Sequence, residues 1–333
     1  MEPLVSVITP CFNAGEWIRE TLNSVVAQNY DNLEIIAIDD GSTDETAHII
    51  REEFPSVRLV ATTNQGASRA RNLGTSLASG RFLQYLDADD LITQRKLRIQ
   101  VSVLEESGAD VAYGDWQKIE PGKDGFALGE IVRREMEDEP ELDLFGDFWC
   151  PPAAYLFRRS IVEKVGRWNE GLPVIEDVRF ALDCALRGGR FVYCPGVSAY
   201  YRVHATGSLS RGDLVAFTRC VYRNACEIEA WWLANSGISA TRRRALVKSI
   251  GQVARSSYER DPQTFDTALK HLERLSPGYV PAGPLRLKVM SKMIGYRDAE
   301  KAAAWYRSVK RSLVRSLQSS WPHQARALVG KRD

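Results

Sequence analysis

The sequence has no Cys-x-x-Cys pair, no histidine at zinc-finger spacing, and only four histidines in 333 residues. Its six cysteines (Cys11, Cys150, Cys184, Cys194, Cys220, Cys226) are scattered, which excludes a zinc ribbon or a dithiol motif and leaves reduced, mostly buried thiols as the expectation. No uninterrupted apolar run reaches membrane-spanning length, and the chain enters an apolar stretch at residues 4–9 without the basic region and cleavable segment of a secretory signal. A cytoplasmic location is expected. Gly-x-Gly-x-x-Gly is missing after the first apolar stretch, and Gly-x-x-x-x-Gly-Lys-Ser/Thr is missing throughout. A dinucleotide dehydrogenase and a P-loop kinase therefore both lack their phosphate cradle.

What is present is an ordinary globular composition, 44% hydrophobic and 26% charged, with a formal net charge of +1. That near-neutral sum conceals an asymmetry. From Leu285 to the end there are twelve Lys and Arg against three acids, which leaves the preceding 284 residues at a charge of about −8. The length allows one large α/β domain and an appendage.

The most informative stretch is Phe82-Leu83-Gln84-Tyr85-Leu86-Asp87-Ala88-Asp89-Asp90, an apolar run that ends in three carboxylates. It reads as a buried strand whose carboxyl end, in an open α/β sheet, faces the ligand site. Asp87 and Asp89 can converge there on one hard cation, which takes carboxylate oxygens and shares its shell with phosphates. The competing reading is an acidic turn that only starts a helix over residues 93–106. Upstream, residues 4–9 form a strand whose pairing Pro10 is expected to stop, followed by a helix carrying Ile18, Leu22, Val25 and Val26. Residues 34–38 form a second strand ending in Asp39-Asp40-Gly41-Ser42-Thr43-Asp44, with Gly41 at a tight turn and Ser42 or Thr43 capping the next helix. Residues 57–61 form a third strand, and Asn64-Gln65-Gly66 opens a helix with Arg69 and Arg71. This alternation predicts a doubly wound, mainly parallel sheet. Three strands ending in polar groups at one rim favour a metal-nucleotide site, with Phe12 as a wall for the base, Asp40 for its hydrogen bonds and Arg71 for phosphate. Phe12 as a core aromatic and Arg71 on a solvated helix face are the plainer alternatives.

The ordered set Val5-Ser6-Val7-Ile8-Thr9-Pro10-Cys11-Phe12-Asn13, Asp39-Asp40-Gly41-Ser42-Thr43-Asp44, Asn64-Gln65-Gly66 with Ala70-Arg71-Asn72, and Leu86-Asp87-Ala88-Asp89-Asp90 resembles the motifs of family 2 inverting glycosyltransferases with the GT-A fold. The resemblance implies a nucleotide-sugar donor, with Pro10 and Phe12 lining the nucleoside pocket, Asp40 reading the base and Arg71 near the pyrophosphate. It also implies Asp87 at the ribose or a metal-bound water, and Asp89 on a divalent ion, Mn2+ or Mg2+. Further along, Glu176-Asp177 resembles the family's acidic pair, which makes Asp177 the general base and Glu176 its neighbour; helix-start chemistry is the alternative. His204, in a segment like the family's closing one, would complete the metal or phosphate site, or else be a satisfied loop histidine. Two departures stand out: Trp168-Asn169 replaces the usual Phe-Asp, and Val178-Arg179 follows the acidic pair.

Between these motifs, residues 116–119 and 126–131 read as a hairpin, and the acidic residues 135–147 read as a loop over the site. The expected organisation is a GT-A domain over residues 1–211, a helical extension over 212–284 and a basic amphipathic helical tail over 285–333. The tail is a candidate for peripheral contact with an anionic membrane, the alternative being a helix packed on the catalytic domain with a solvated basic face. The implied activity is transfer of one sugar, from a UDP-sugar by the resemblance, to a glycan or lipid-linked saccharide, since the Gln/Arg-x-x-Arg-Trp signature of processive synthases is missing. Nothing points to nucleic acid. A nucleotidyltransferase and a non-catalytic nucleotide-sugar or glycan-binding module are the rivals; the first lacks a glycine-rich basic loop after the first strand.

Overall fold

The computed structural model describes residues 2–122, 125–204 and 213–319. The first seven elements alternate as the sequence predicts: β1 (Val5–Cys11), α1 (Ile18–Val26), β2 (Leu33–Asp39), α2 (Thr46–Glu53), β3 (Arg58–Ala61), α3 (Ala67–Leu77) and β4 (Phe82–Tyr85). Then come β5 (Leu91–Ile92), α4 (Lys96–Ser107), the hairpin β6 (Val111–Gly122) and β7 (Gly125–Val132), α5 (Pro140–Phe145) and a 3-10 turn over Pro152–Ala154. The first compact part finishes with β8 (Tyr155–Arg158), α6 (Arg159–Val165), α7 (Glu176–Leu186) and β9 (Phe191–Arg202).

One sheet joins these strands in the order β3-β2-β1-β4-β8-β6-β9-β5, with β7 paired to β6. The run β3-β2-β1-β4 is parallel, so four strand ends open on one rim. Beyond it the sheet is mixed: β8 runs antiparallel to β4 and β6, and β9 parallel to β6 but antiparallel to β5. Val5, Val7, Ile8, Ile36, Ile38, Phe82 and Leu83 fill both faces with almost no exposure, which explains why these strands read as continuous apolar runs. On α3, a Cβ at Gly74 would stand 2.4 Å from Ile8 Cγ2, so the glycine lets the helix lie close against β1. Arg71, three residues earlier, is thereby carried to the strand ends.

Several expectations are corrected. Pro10 does not stop β1, which pairs with β2 as far as Cys11 opposite Asp39; proline removes one donor but tolerates an extended backbone. Neither Ser42 nor Thr43 caps α2, which starts at Thr46. Their role is to brace a loop: Ser42 Oγ accepts the Asn13 N–H and Thr43 N–H donates to Asn13 Oδ1. Residues 135–147 are not all loop, because α5 forms there and buries Leu144 and Phe145. The helix after the acidic turn starts at Lys96 rather than Thr93, since Leu91–Ile92 is taken up as β5.

The chain divides into two compact units, Met1–Cys220 and Val221–Asp333. Helix α8 (Leu214–Asn235) is followed in the second unit by α9 (Ala240–Ser257), α10 (Pro262–Leu275), α11 (Leu285–Ile294) and α12 (Tyr296–Ser319). Asp261 caps α10 through the Thr264 N–H, with Pro262 at its first position. The tail is partly packed within this unit: Leu287, Tyr296 and Ala299 are buried, and the Tyr296 ring lies 5.5 Å from that of Tyr279. Its Val289, Met293, Ile294, Trp305 and Tyr306 remain exposed. Trp321 lies outside the described residues.

Candidate active site

The rim of the parallel strands is built by two interlocked loops. After β1, Asn13 adopts the left-handed conformation (φ 49°), and the Ala14 N–H donates to Thr46 Oγ1. After β2, Asp44 takes the Gly15 N–H on one oxygen and the Thr46 N–H on the other. Gly41 makes this possible: its φ is +80°, and a Cβ would meet the Asn64 nitrogen at 2.8 Å.

A cleft of about 410 Å³ opens between these loops and β4. Its lining includes Pro10, Phe12, Asp40, Arg71, Asp87, Asp89, Glu176 and His204, which brings together every site residue expected from the sequence except Asp177. Phe12 is 51% exposed, so it is a wall of the cleft and not a core aromatic. Asp40 is buried and accepts the Gln65 and Gly66 N–H groups at 2.9 and 2.7 Å, which ties the loop before α3 to the cleft floor. A carboxylate has further lone pairs to offer a base.

Arg71 is the centre of the electrostatics. Only 2% exposed, it donates to Asp87 Oδ1 at 2.5 Å and to Glu176 Oε1 at 3.2 Å, with its guanidinium 4.5 Å over the Trp168 ring. It is therefore no solvated helix residue. Its Nε is buried without a partner, and a guanidinium that lacks one hydrogen bond while touching a cleft is suited to an anionic ligand. Trp168, the departure from the family pattern, stacks on Phe180 at 4.2 Å and supplies the face on which Arg71 rests.

Glu176 and Asp177 open α7 but turn to different partners. Glu176 faces Arg71, and burial pushes it up to about 7 against the pull of that guanidinium. Asp177 accepts the Trp149 Nε1–H at 2.8 Å and its neighbour's Val178 N–H at 2.7 Å. Burial raises its carboxyl above the ordinary range while the Trp149 bond pulls it down. Trp149 itself packs edge-on against Trp116 and Tyr201, with centroids 5.0 and 5.1 Å away.

His204 reaches the acidic turn through strand pairing. Antiparallel β5 and β9 match Leu91 with Tyr200, which carries the end of β9 to Asp89. The His204 Nε2 then lies 2.7 Å from Asp89 Oδ2, a contact that raises the imidazole above its usual value. Arg202 fixes the same turn: its Nε donates to the Asp89 carbonyl and its N–H to Asp90 Oδ1, both at 3.0 Å. Its guanidinium sits 4.4 Å over the Trp17 ring. Residues 205–210 of the closing segment lie outside the described residues. Among the described residues, no three His, Cys, Asp or Glu side chains converge as a ready cage for a metal ion. The Asp89–His204 pair supplies an oxygen and a nitrogen, a donor set that fits a divalent cation completing its shell with phosphate and water.

Arg202, Trp149 and Trp168 were not singled out from the sequence as site residues. Only the last carried a signal, as a departure from the expected pattern. The other two depend on pairings that are remote in the chain.

A nucleotide-sized cleft at the carboxyl edge of a sheet that is parallel on one side and mixed on the other, closed by an acidic turn, is the GT-A architecture. The family model for glycosyl transferase family 2 matches residues 6–166. The chain is 33% identical over 214 residues to Escherichia coli WfaP, a UDP-Glc:α-D-GlcNAc-diphosphoundecaprenol β-1,3-glucosyltransferase, covering 62% of this chain and 80% of WfaP. It is also 32% identical to the Streptococcus pneumoniae glycosyltransferase GlyG, over 41% of this chain and 52% of GlyG. This chain belongs to glycosyltransferase family 2. Several other curated relatives are matched over a smaller share; a Rickettsia felis glycosyltransferase is covered over 24% of its length. In fold the chain is similar to S. aureus TarS in complex with UDP-GlcNAc, with a TM-score of 0.63, 18% identity and 91% and 92% of the two chains covered. It is similar as well to the mannosyltransferase PcManGT of Pyrobaculum calidifontis in complex with GDP-Man and Mn2+, with a TM-score of 0.58, 19% identity and 96% and 89% covered.

Proposed function

We propose that this glycosyltransferase is metal-dependent and inverting, and moves one sugar from a UDP-sugar to a hydroxyl of a glycan or lipid-linked saccharide. The observation that carries the reading is the division of labour at the start of α7. Glu176, with Arg71 and Asp87, faces the donor cleft, whereas Asp177 is drawn by Trp149 toward the aromatic residues at β6 and β9. Asp177 takes the proton from the acceptor hydroxyl, the oxygen attacks the anomeric carbon, and the bond to the departing diphosphate breaks from the opposite side. No covalent intermediate is involved. Phe12 and Pro10 flank the base, Asp40 hydrogen-bonds it, and Arg71 meets the diphosphate. Asp89 and His204, with Asp87 beside them, would hold Mn2+ or Mg2+, which supplies charge neutralisation for the leaving group. The UDP donor is taken from the relative WfaP, and the lipid-linked acceptor likewise.

The reading extends to organisation: residues 1–211 carry donor binding and catalysis, residues 212–284 a helical extension, and residues 285–333 a basic tail. The exposed apolar residues of α11 and α12 support a peripheral contact with the inner face of a membrane. No helix among the described residues is long and apolar enough to cross one.

The test is calorimetry of UDP binding with and without Mn2+, in the native chain and in Asp89→Ala. Binding should depend on the metal and be lost in the variant, with the melting temperature little changed because Asp89 is partly exposed. Affinity indifferent to both metal and mutation would sink the metal-dependent reading. Incubation with donor and acceptor then separates a transferase from a binding module, and retention of configuration in the product would exclude the single displacement.

A further inference from the structure

Helix α9 carries five basic residues, Arg242, Arg243, Arg244, Lys248 and Arg255, and no Asp or Glu. Arg242 is engaged with Ser236 and the Gly237 carbonyl. The other four line a hollow of about 510 Å³ within the second unit, formed with the segment after α10. No carboxylate is in that lining, and among the described residues none of the four forms an ion pair. The Arg255 Nη1 donates to the Ala282 carbonyl at 3.3 Å.

This arrangement works against the helix in two ways. Arg244 and Lys248 stand four residues apart on one face and repel each other. Arg243 and Arg244 also lie in the first turn and a half, where the helix dipole disfavours cations. A solvated basic face would ordinarily be interleaved with acids, and here none compensates. The hollow is also more than charge. Arg244, Lys248, Gly251 and Arg255 follow one another along a single stripe, and Gly251 lets Tyr279 come in: a Cβ there would lie 2.1 Å from the tyrosine oxygen. Val247, Leu275 and Val280 give the hollow an apolar side.

We propose that this hollow is a binding site for a phosphate group borne on an apolar chain, distinct from the donor cleft. Four cations in one concavity match a compact, multiply charged anion, and the aliphatic side takes the first carbons of its chain. The phosphate is the shared chemistry; an inorganic ion and an amphiphile are its two sources, and the apolar side assigns the second.

The test is calorimetry on the full chain in EDTA, which silences metal-dependent nucleotide binding, with octyl phosphate, inorganic phosphate and octyl glucoside as ligands. Octyl phosphate should bind, inorganic phosphate about tenfold more weakly, and octyl glucoside not measurably. In the Arg244→Ser/Lys248→Ser double variant octyl phosphate should weaken by at least about tenfold, the scale expected on losing two charge-assisted contacts. Its binding to the native chain should also fall as salt rises. Both side chains are exposed, so the variant should keep its melting temperature and its UDP affinity. Octyl glucoside binding as well as octyl phosphate, or octyl phosphate binding unchanged in the variant, overturns the proposal. Inorganic phosphate binding as tightly as octyl phosphate overturns its apolar half.

Discussion

The two units of this chain carry opposite net charge, and the charges at the donor cleft are held differently from those on α9. Residues 1–220 contain 34 Asp and Glu against 23 Lys and Arg, whereas residues 221–333 contain nine against 21. In the first unit the decisive charges are buried and held by partners: Arg71 lies between Asp87 and Glu176, and Arg202 against the Asp89–Asp90 turn. In the second unit Arg243, Arg244, Lys248 and Arg255 of α9 stand exposed and, among the described residues, form no ion pair. Buried charge is costly unless it is paired and geometrically fixed, which is the condition a reaction centre needs. Surface charge costs little, and so it can be kept for a ligand. Mutations should therefore have large, specific effects at the buried, paired charges of the first unit's cleft and small ones at the exposed cations of α9.

The largest effect is expected at Asp177. Asn preserves its shape and its bond from Trp149 but cannot take a proton, so turnover should fall by about 10² to 10⁴ with UDP affinity kept. Steady-state kinetics with calorimetry of UDP would show it. Near-native turnover would move the base elsewhere, with Glu176 the first candidate, and would break the division between the two carboxylates.

Arg71→Met should destabilise the first unit by about 3–5 kcal/mol, because it leaves Asp87 and Glu176 without their shared cation. The sign of its pH dependence follows from Glu176. This group titrates near 7 when folded and lower when unfolded, so the folded state binds the extra proton and stability falls as pH rises between the two values. Without Arg71 the folded value goes higher still, and the deficit of the variant should widen from pH 6 to pH 8 in denaturant titrations. A deficit that is constant with pH would mean that Glu176 does not sense Arg71.

Trp149→Phe retains the ring packed on Trp116 and Tyr201 but removes the N–H given to Asp177. Losing one hydrogen bond to a charged group corresponds to about a tenfold fall in turnover. That bond also lowers the Asp177 carboxyl, so the acid limb of the pH profile should move to higher pH, since the base must be ionised to act. A lower rate with an unmoved limb would assign Trp149 to packing alone.

Much of the first unit was legible because its information is local. Apolar runs that end in Asp-rich turns mark β2 and β4 as parallel strands with their acids at one rim, and the cleft gathers Phe12, Asp40, Arg71, Asp87 and Asp89 as those turns imply. The mixed half of the sheet was not legible. Strand β5 is two residues long, and its pairing with β9 joins positions more than a hundred residues apart, yet that pairing brings His204 and Arg202 to Asp89. Proline at position 10 misled for a physical reason: it removes one N–H but leaves the strand geometry intact. The bond between Trp149 and Asp177 also had no local sign, since nothing in residues 135–151 indicates which way the indole turns.

The smallest effect is predicted in the second unit, and it sharpens the contrast most directly. Replacing Arg244 and Lys248 together by serine removes two positive charges from a solvent-exposed face where, among the described residues, neither forms an ion pair. Surface changes of this kind ordinarily shift stability by no more than about 0.5 kcal/mol. Here two opposing terms should cancel nearly. The variant loses the better helix propensity of Arg and Lys, a few tenths of a kcal/mol for each, and gains relief from i,i+4 repulsion and from a cation near the helix start. Chemical denaturation at low salt should therefore give the same midpoint as the native chain, and raising the salt should stabilise the native chain slightly more than the variant, because only the native chain has that repulsion to screen. A loss of several kcal/mol would mean that these cations are held by the fold as Arg71 is, and the distinction between the two units would fail.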